Sequence, residues 1–115
     1  SAADIDGFAA ELGDRFGKIP EEVSNLLAVM SIKQLCRAAQ VERCDAGPKG
    51  AVITFHRNTH PNPSGLVYYL AKQGAAMKLR PDHKLVVMRA WDNPVTRQKG
   101  VQKLLAELAG LVIQP

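Results

Sequence analysis

Three prolines partition this chain more firmly than any other feature. Pro20, Pro63 and Pro94 each stand ahead of a stretch with helical periodicity, and two of them follow an asparagine. A proline lacks the N–H that a first helical turn leaves unpaired, so each one marks a helix start and forbids a helix from running through it. Asn62 and Asn93 are placed to cap the helices that Pro63 and Pro94 open.

Between these markers the apolar spacing separates helix from strand. Ile5, Phe8, Ala9, Leu12 and Phe16 recur at intervals of three and four, and Gly17 is placed to end that helix in the left-handed conformation. Val23, Leu26, Leu27 and Met30 make one stripe after Pro20, continued around the cylinder by Ile32, Leu35 and Ala39. A helix from about 20 to 40, buried on more than one side, is expected. Leu66, Val67, Leu70 and Ala71 form the buried face of a third helix closed by Gly74. Val101, Leu104, Leu105, Leu108 and Val112 give the i, i+3, i+4, i+7 face of a fourth.

The segments between helices read as two hairpins. "VERCD" and "AVITFH" flank the turn "AGPKG", with Val52 and Phe55 out of strict alternation. "AMKLR" and "LVVMRAW" flank "PDHK", where Pro81 presets the first turn position and Asp82 suits the second. The order α-α-β-β-α-β-β-α, with strands in hairpins, implies an α+β fold: a mainly antiparallel sheet of about four strands packed by helices. At 115 residues, residues 1–115 form a single domain. "SAADIDGFAAEL" opens already in helical pattern. Residues 1–10 are therefore expected to be the tail of an upstream linker helix or a vector-derived leader. Cys36 and Cys44 span too short a loop to make a disulfide framework, which favours free thiols in a reducing cytoplasm.

Most chemical readings fail on spacing. "GPKG" has its lysine before the last glycine and a strand after it, so it is a turn and not a phosphate loop. His56 and His60 have a usable ligand spacing, but Cys36-x7-Cys44 does not match close thiolate pairs of structural zinc sites. Glu21 and Glu22 lie about 100° apart on a helix, cannot converge on one atom, and serve the helix dipole instead. No catalytic constellation and no cofactor site emerges.

Charge divides the chain: residues 1–45 carry a net −3 and residues 46–115 a net +7. The basic half, with Lys72, Lys78, Arg80, Lys84, Arg89, Arg97, Lys99 and Lys103, could bind nucleic acid as an accessory domain. Aromatic residues are only 5%, few for stacking bases, so a solvated or protein-docking face is the stronger reading.

The run "ELGDRFGKIPEEVSNLL", Glu11 to Leu27, resembles the opening of the C-terminal domain of bacterial transcription-repair coupling factors (the Mfd or TRCF family), where E-L-x-D-R-F-G-x-[LI]-P leads into a long helix. The likeness continues through the Lys-Gly turn, the strand ending at Phe55, His60-x-Asn62-Pro63 and "MKLRPDHKLVV". Gly13, Gly65 and Gly100 depart from it and are expected to weaken helices by up to ~1 kcal/mol each. The resemblance implies a non-catalytic, cytoplasmic regulatory domain. It would dock on the N-terminal UvrB-like module of the same polypeptide and mask UvrA binding. The parent would be an ATP-dependent DNA translocase, with ATP and Mg in an upstream motor, that displaces stalled RNA polymerase and recruits nucleotide-excision repair. Candidate interface residues are Arg57, Asn58, His60 and Asn62 in one loop, and Lys78, Arg80 and Lys84 in the second hairpin.

Overall fold

The computed structural model describes residues 1–112, with the side chains of residues 2, 9 and 12–16 outside that description. The elements run α1 (Ala2–Phe16), α2 (Glu21–Ala39), β1 (Val41–Gly47), β2 (Gly50–Phe55), α3 (Pro63–Gln73), β3 (Met77–Leu79), β4 (Leu85–Met88) and α4 (Pro94–Val112). Short 3-10 turns at His56–Asn58 and Gly74–Ala76 lead into and out of α3. The expected order and the antiparallel sheet are both present, with spatial order β1-β2-β4-β3.

The helix starts follow the asparagine–proline logic. Asn62 accepts from the Gly65 N–H at 3.1 Å, and Asn93 accepts from the Thr96 N–H at 2.8 Å. Pro20 stands one position earlier than its two counterparts, as the extended N-cap of α2. Gly17 has the positive φ its place requires, but its ψ of −143° is not left-handed helical and lies in a region glycine alone enters readily.

One core lies between the inner face of the sheet and the helices. Ala51, Ile53, Phe55, Leu85 and Val87 supply the sheet side, and Val101, Leu104, Leu105 and Leu108 the α4 side, with Leu66, Met77 and Trp91 filling the flanks. Strand β2 alternates strictly after all, but with Ala51, Ile53 and Phe55 inward. Val52 faces the other way, which is why it and Phe55 do not alternate with one another. The stripe expected of α2 is also corrected. Leu27, Ser31 and Ala39 are buried, with Ile32, Leu35 and Cys36 half-buried beside them, while Leu26, Val29 and Met30 are exposed. Helix α2 packs against α4, β1 and α1, which leaves the part of its circumference carrying Leu26, Val29 and Met30 uncovered. In α1, Ile5 is half-buried and Phe8 exposed; the expected apolar positions Ala9, Leu12 and Phe16, and Gly13, lie outside the described residues. Among the described residues no helix is long and apolar enough to cross a membrane.

The "GPKG" turn ties the two hairpins together. The Pro48 and Lys49 carbonyls accept from the Trp91 and Arg89 N–H groups at 2.9 and 3.0 Å, extending the β2–β4 ladder past its end. Gly50 makes this approach possible, because a Cβ there would lie 1.8 Å from the Val87 carbonyl oxygen. Trp91, so placed, packs its indole on bare Gly100 of α4, where a Cβ would come within 2.3 Å of the ring. Arg97 adds two bonds to the Trp91 carbonyl, at 3.3 and 3.1 Å. Gly100 is therefore required by packing, which outweighs the helix propensity it sacrifices.

Gly100→Ala should lower the urea midpoint by an amount equivalent to ~1–3 kcal/mol despite the better helix former, since Trp91 is buried and has little room to yield. Gly110→Ala, with nothing within 4 Å of its Cβ position, should leave the midpoint unchanged or raise it by up to ~1 kcal/mol. Equal shifts in the two variants would show that helix propensity, and not the indole contact, governs position 100.

Candidate docking groove

Strand β2 delivers the chain into the loop that carries four of the candidate residues. Arg57 (φ 56°, ψ 27°) and Asn58 (φ 56°) are consecutive left-handed residues. Asparagine tolerates that conformation, whereas for arginine it costs ~1–2 kcal/mol. The double left-handed step turns the chain back so that His60 enters the core, and it leaves Arg57 and Asn58 exposed on the crest.

His60 is only 3% exposed, so its ring belongs to the interior and not to the surface expected of it. It meets Phe55 edge-on, with centroids 5.3 Å apart. Its Nε2 lies 3.2 Å from the Leu108 carbonyl oxygen, and its Nδ1 accepts from the Asn62 N–H at 3.0 Å. A carbonyl can only accept, so the ring proton sits on Nε2 and both nitrogens are engaged. Asn62, half-buried, donates Nδ2–H to the Leu111 carbonyl at 2.8 Å while its Oδ1 caps α3. Both carbonyls belong to the last described turns of α4, and a carbonyl has two lone pairs with which to accept. Gly65 permits the arrangement, since a Cβ there would lie 2.3 Å from Asn62 Nδ2. The second helix glycine, like Gly100, makes room for a tertiary contact.

The second hairpin stands across from this loop. Its turn is closed by Arg80 N–H to Lys84 O and His83 N–H to Arg80 O, each 2.9 Å. Asp82 accepts from Arg80 Nε at 3.1 Å, from a second guanidinium nitrogen, and from the Lys84 N–H at 3.2 Å. The Arg80 guanidinium holds the Asp82 carboxyl down to about 2, and the Arg80 side chain is raised in return. Lys78 is exposed on β3 and Lys84 half-buried just before β4.

The two segments thus face one another over a groove of about 200 Å³. Asn58, Thr59, Pro63, Val67, Leu79 and His83 line it beside the buried Phe55, His60 and Leu66; of the candidate interface residues only Asn58 and His60 are in this lining, and Arg57, Asn62, Lys78, Arg80 and Lys84 are not. Val67 and Tyr68 are 64% and 67% exposed and Ala71 is exposed too, so the expected burial of Val67 and Ala71 is corrected: Leu66, Tyr69 and Leu70 carry the buried face of α3. Leu79, His83 and Val67 are groove residues that spacing alone did not single out. The one available signal was that α3 has more apolar residues than one face can bury.

Other sequence candidates are placed elsewhere. Lys72 sits over the Tyr68 ring at 4.3 Å, and Arg89 bonds the Met88 carbonyl at 2.9 Å. Cys36 and Cys44 are free, half-buried thiols; burial pushes Cys44 up to about 11, with Cys36 and Asp45 adding to the shift, so the nucleophilic thiolate is disfavoured. Tyr69 donates to Glu107 at 2.7 Å, a tie between α3 and α4 whose burial raises the phenol well above its ordinary range.

A family model described as the TRCF domain matches residues 1–66, more than half of the chain. The chain belongs to the transcription-repair coupling factor family. Among its relatives, the transcription-repair-coupling factor of Rickettsia bellii is 35% identical over 86 residues, covering 75% of this chain and 8% of that protein. Those of Haemophilus influenzae and Escherichia coli are 29% and 28% identical over 109 and 105 residues, covering 95% and 91% of this chain and 10% and 9% of theirs. The chain therefore spans about a tenth of the length of the transcription-repair coupling factors it matches. The TRCF-domain match includes His60 and Asn62 but stops short of α4, whose contribution to the lock is backbone carbonyl and can come from any residue.

Asn62→Ala removes a helix cap and a bond to α4 together and should cost ~1–3 kcal/mol in urea unfolding. Its coupling with His60→Ala in a double-mutant cycle should exceed ~0.5 kcal/mol, because both side chains fasten the same last turns of α4; strict additivity would refute the lock. In the second hairpin, an NMR titration of the Asp82 carboxyl should give a midpoint near 2, moving up toward 3.8 in Arg80→Ala. Because the folded value is depressed, the pair's contribution to the hairpin should be intact above about pH 4 and be lost as pH falls toward 2.

Proposed function

We propose that this chain is the C-terminal regulatory domain of a transcription-repair coupling factor, and that it acts by docking and not by catalysis. In this reading its groove engages the N-terminal UvrB-like module of the same polypeptide and masks the surface that binds UvrA. The parent is an ATP-dependent DNA translocase, with ATP and Mg in a motor outside this domain, that displaces stalled RNA polymerase and recruits excision repair. The observation that carries the reading is the convergence of the 57–62 loop and the 78–84 hairpin on one largely apolar groove with Asn58, Thr59 and His83 at its edge.

Such a surface suits a reversible intramolecular contact. Tethering raises the effective concentration of the partner to the millimolar range, so a small interface suffices and a modest competing interaction can release it. Exposed Asn58, Thr59 and His83 set register and keep the released state soluble, while Val67 and Leu79 supply apolar area to bury. The strained Arg57 crest is consistent with a loop held in shape for recognition.

The test uses a full-length coupling factor carrying this domain with Arg57→Glu and Val67→Glu, both at exposed positions. UvrA affinity and ATP turnover should each rise several-fold, and the isolated N-terminal module should no longer retain the altered domain in a pull-down. Wild-type values for all three would sink the proposal.

A further inference from the structure

Among the described residues the sheet is layered on one side only. Its inner residues join the core with the buried side chains of α3 and α4 and Ala39 of α2, whereas the outward-facing Val52 and Val86 lie outside that cluster. Strand register sets Asp45, Val52, Val86 and Lys78 in one row across β1, β2, β4 and β3. Met88, two residues along β4 from Val86 and on the same face, is 55% exposed. An antiparallel sheet with one wet face ordinarily carries polar residues there. Here the two central strands present Val52, Val86 and Met88, with Thr54 as the polar exception. Beside this stripe a trough of about 510 Å³ opens under the Pro48–Lys49 turn.

Charge around the stripe has one sign left over. Asp45 is paired with Arg43 at 2.8 Å, while Lys49 at the turn and Lys78 on β3 have no ion-pair partner among the described residues. An apolar stripe two strands wide, ~10 Å across, matches the diameter of one helix, the element that most often covers a sheet face. We propose that this open face is a second docking surface, distinct from the groove, and that it receives an acidic amphipathic helix from a partner protein. The apolar side of that helix would lie on Val52, Val86 and Met88, and its flanking carboxylates would meet Lys49 and Lys78. Methionine at the edge of such a surface adapts to the side chains it meets.

The test is an NMR titration of the isotopically labelled 115-residue chain with a helical peptide roughly 18 residues long, built from leucines on one face flanked by glutamates. A second peptide replaces every glutamate by lysine. The glutamate peptide should shift the amides of Val52, Val86 and Met88, and bind at least ~10-fold more tightly than its lysine counterpart. Lys49→Glu with Lys78→Glu, which leaves the core untouched, should reverse that preference. Val86→Asp should abolish binding with the far-ultraviolet circular dichroism unchanged. Equal binding of both peptides, shifts confined to the Asn58–His83 groove, or no binding would overturn the proposal. Concentration-dependent shifts of the same amides without peptide would make the occupant a second copy of this chain, and would overturn it as well.

Discussion

Everything around the candidate groove depends on where the α4 carbonyls find donors. The imidazole of His60 and the amide of Asn62 reach residues nearly fifty positions away, at Leu108 and Leu111. They fasten the segment between β2 and α3 to the end of the helix that fills the core. Without that fastening the chain after Phe55 would have no reason to fold inward at position 60, and the crest at Arg57 and Asn58 would have no fixed base. The lock is built from neutral groups with both imidazole nitrogens engaged, so it specifies a geometry more than it adds raw stability.

Two glycine contacts extend the same theme. Gly65 lets the Asn62 side chain lie across the first turn of α3, and Gly100 lets the Trp91 indole lie on α4. Each sacrifices up to ~1 kcal/mol of helix propensity for a contact that fixes one element against another. The "GPKG" turn belongs to this system too, since its carbonyls set the strand extension that carries Trp91. A chain fastened in this way can present a loop and a hairpin rigidly to a partner, which a docking role requires.

How much of this could be read beforehand varied by element. Helix starts were legible because cap and proline act within four residues, and each of the three appeared within one position of its place. The α+β class and strand pairs were legible from β-branched runs bounded by turn residues. Burial was less so. Leu26, Met30 and Val67 fit an apolar stripe by spacing yet stand exposed, because spacing tells which residues share a face and not how much of the helix the neighbours cover. Val52 and Phe55 break alternation in the sequence, but which of them faces inward was not legible, because strand phase is set by pairing partners. For the groove, both of its polar segments were singled out as loops, but His60 was read as surface, since nothing local to "HRNTHPN" reveals a carbonyl waiting at Leu108.

From its sequence alone, then, this protein is determined as a member of its family with four helices, two hairpins, caps and breaks in a set order. These are matters of local sterics and hydrogen bonding, complete within a few residues. Only the tertiary structure decided that the 57–62 loop and the 78–84 hairpin share a groove, that His60 is interior, that two helix glycines are demanded by packing, and that one sheet face stays open. Those outcomes turn on contacts between residues far apart in the chain, and their energies depend on how whole elements cross, which no short stretch of sequence encodes by itself.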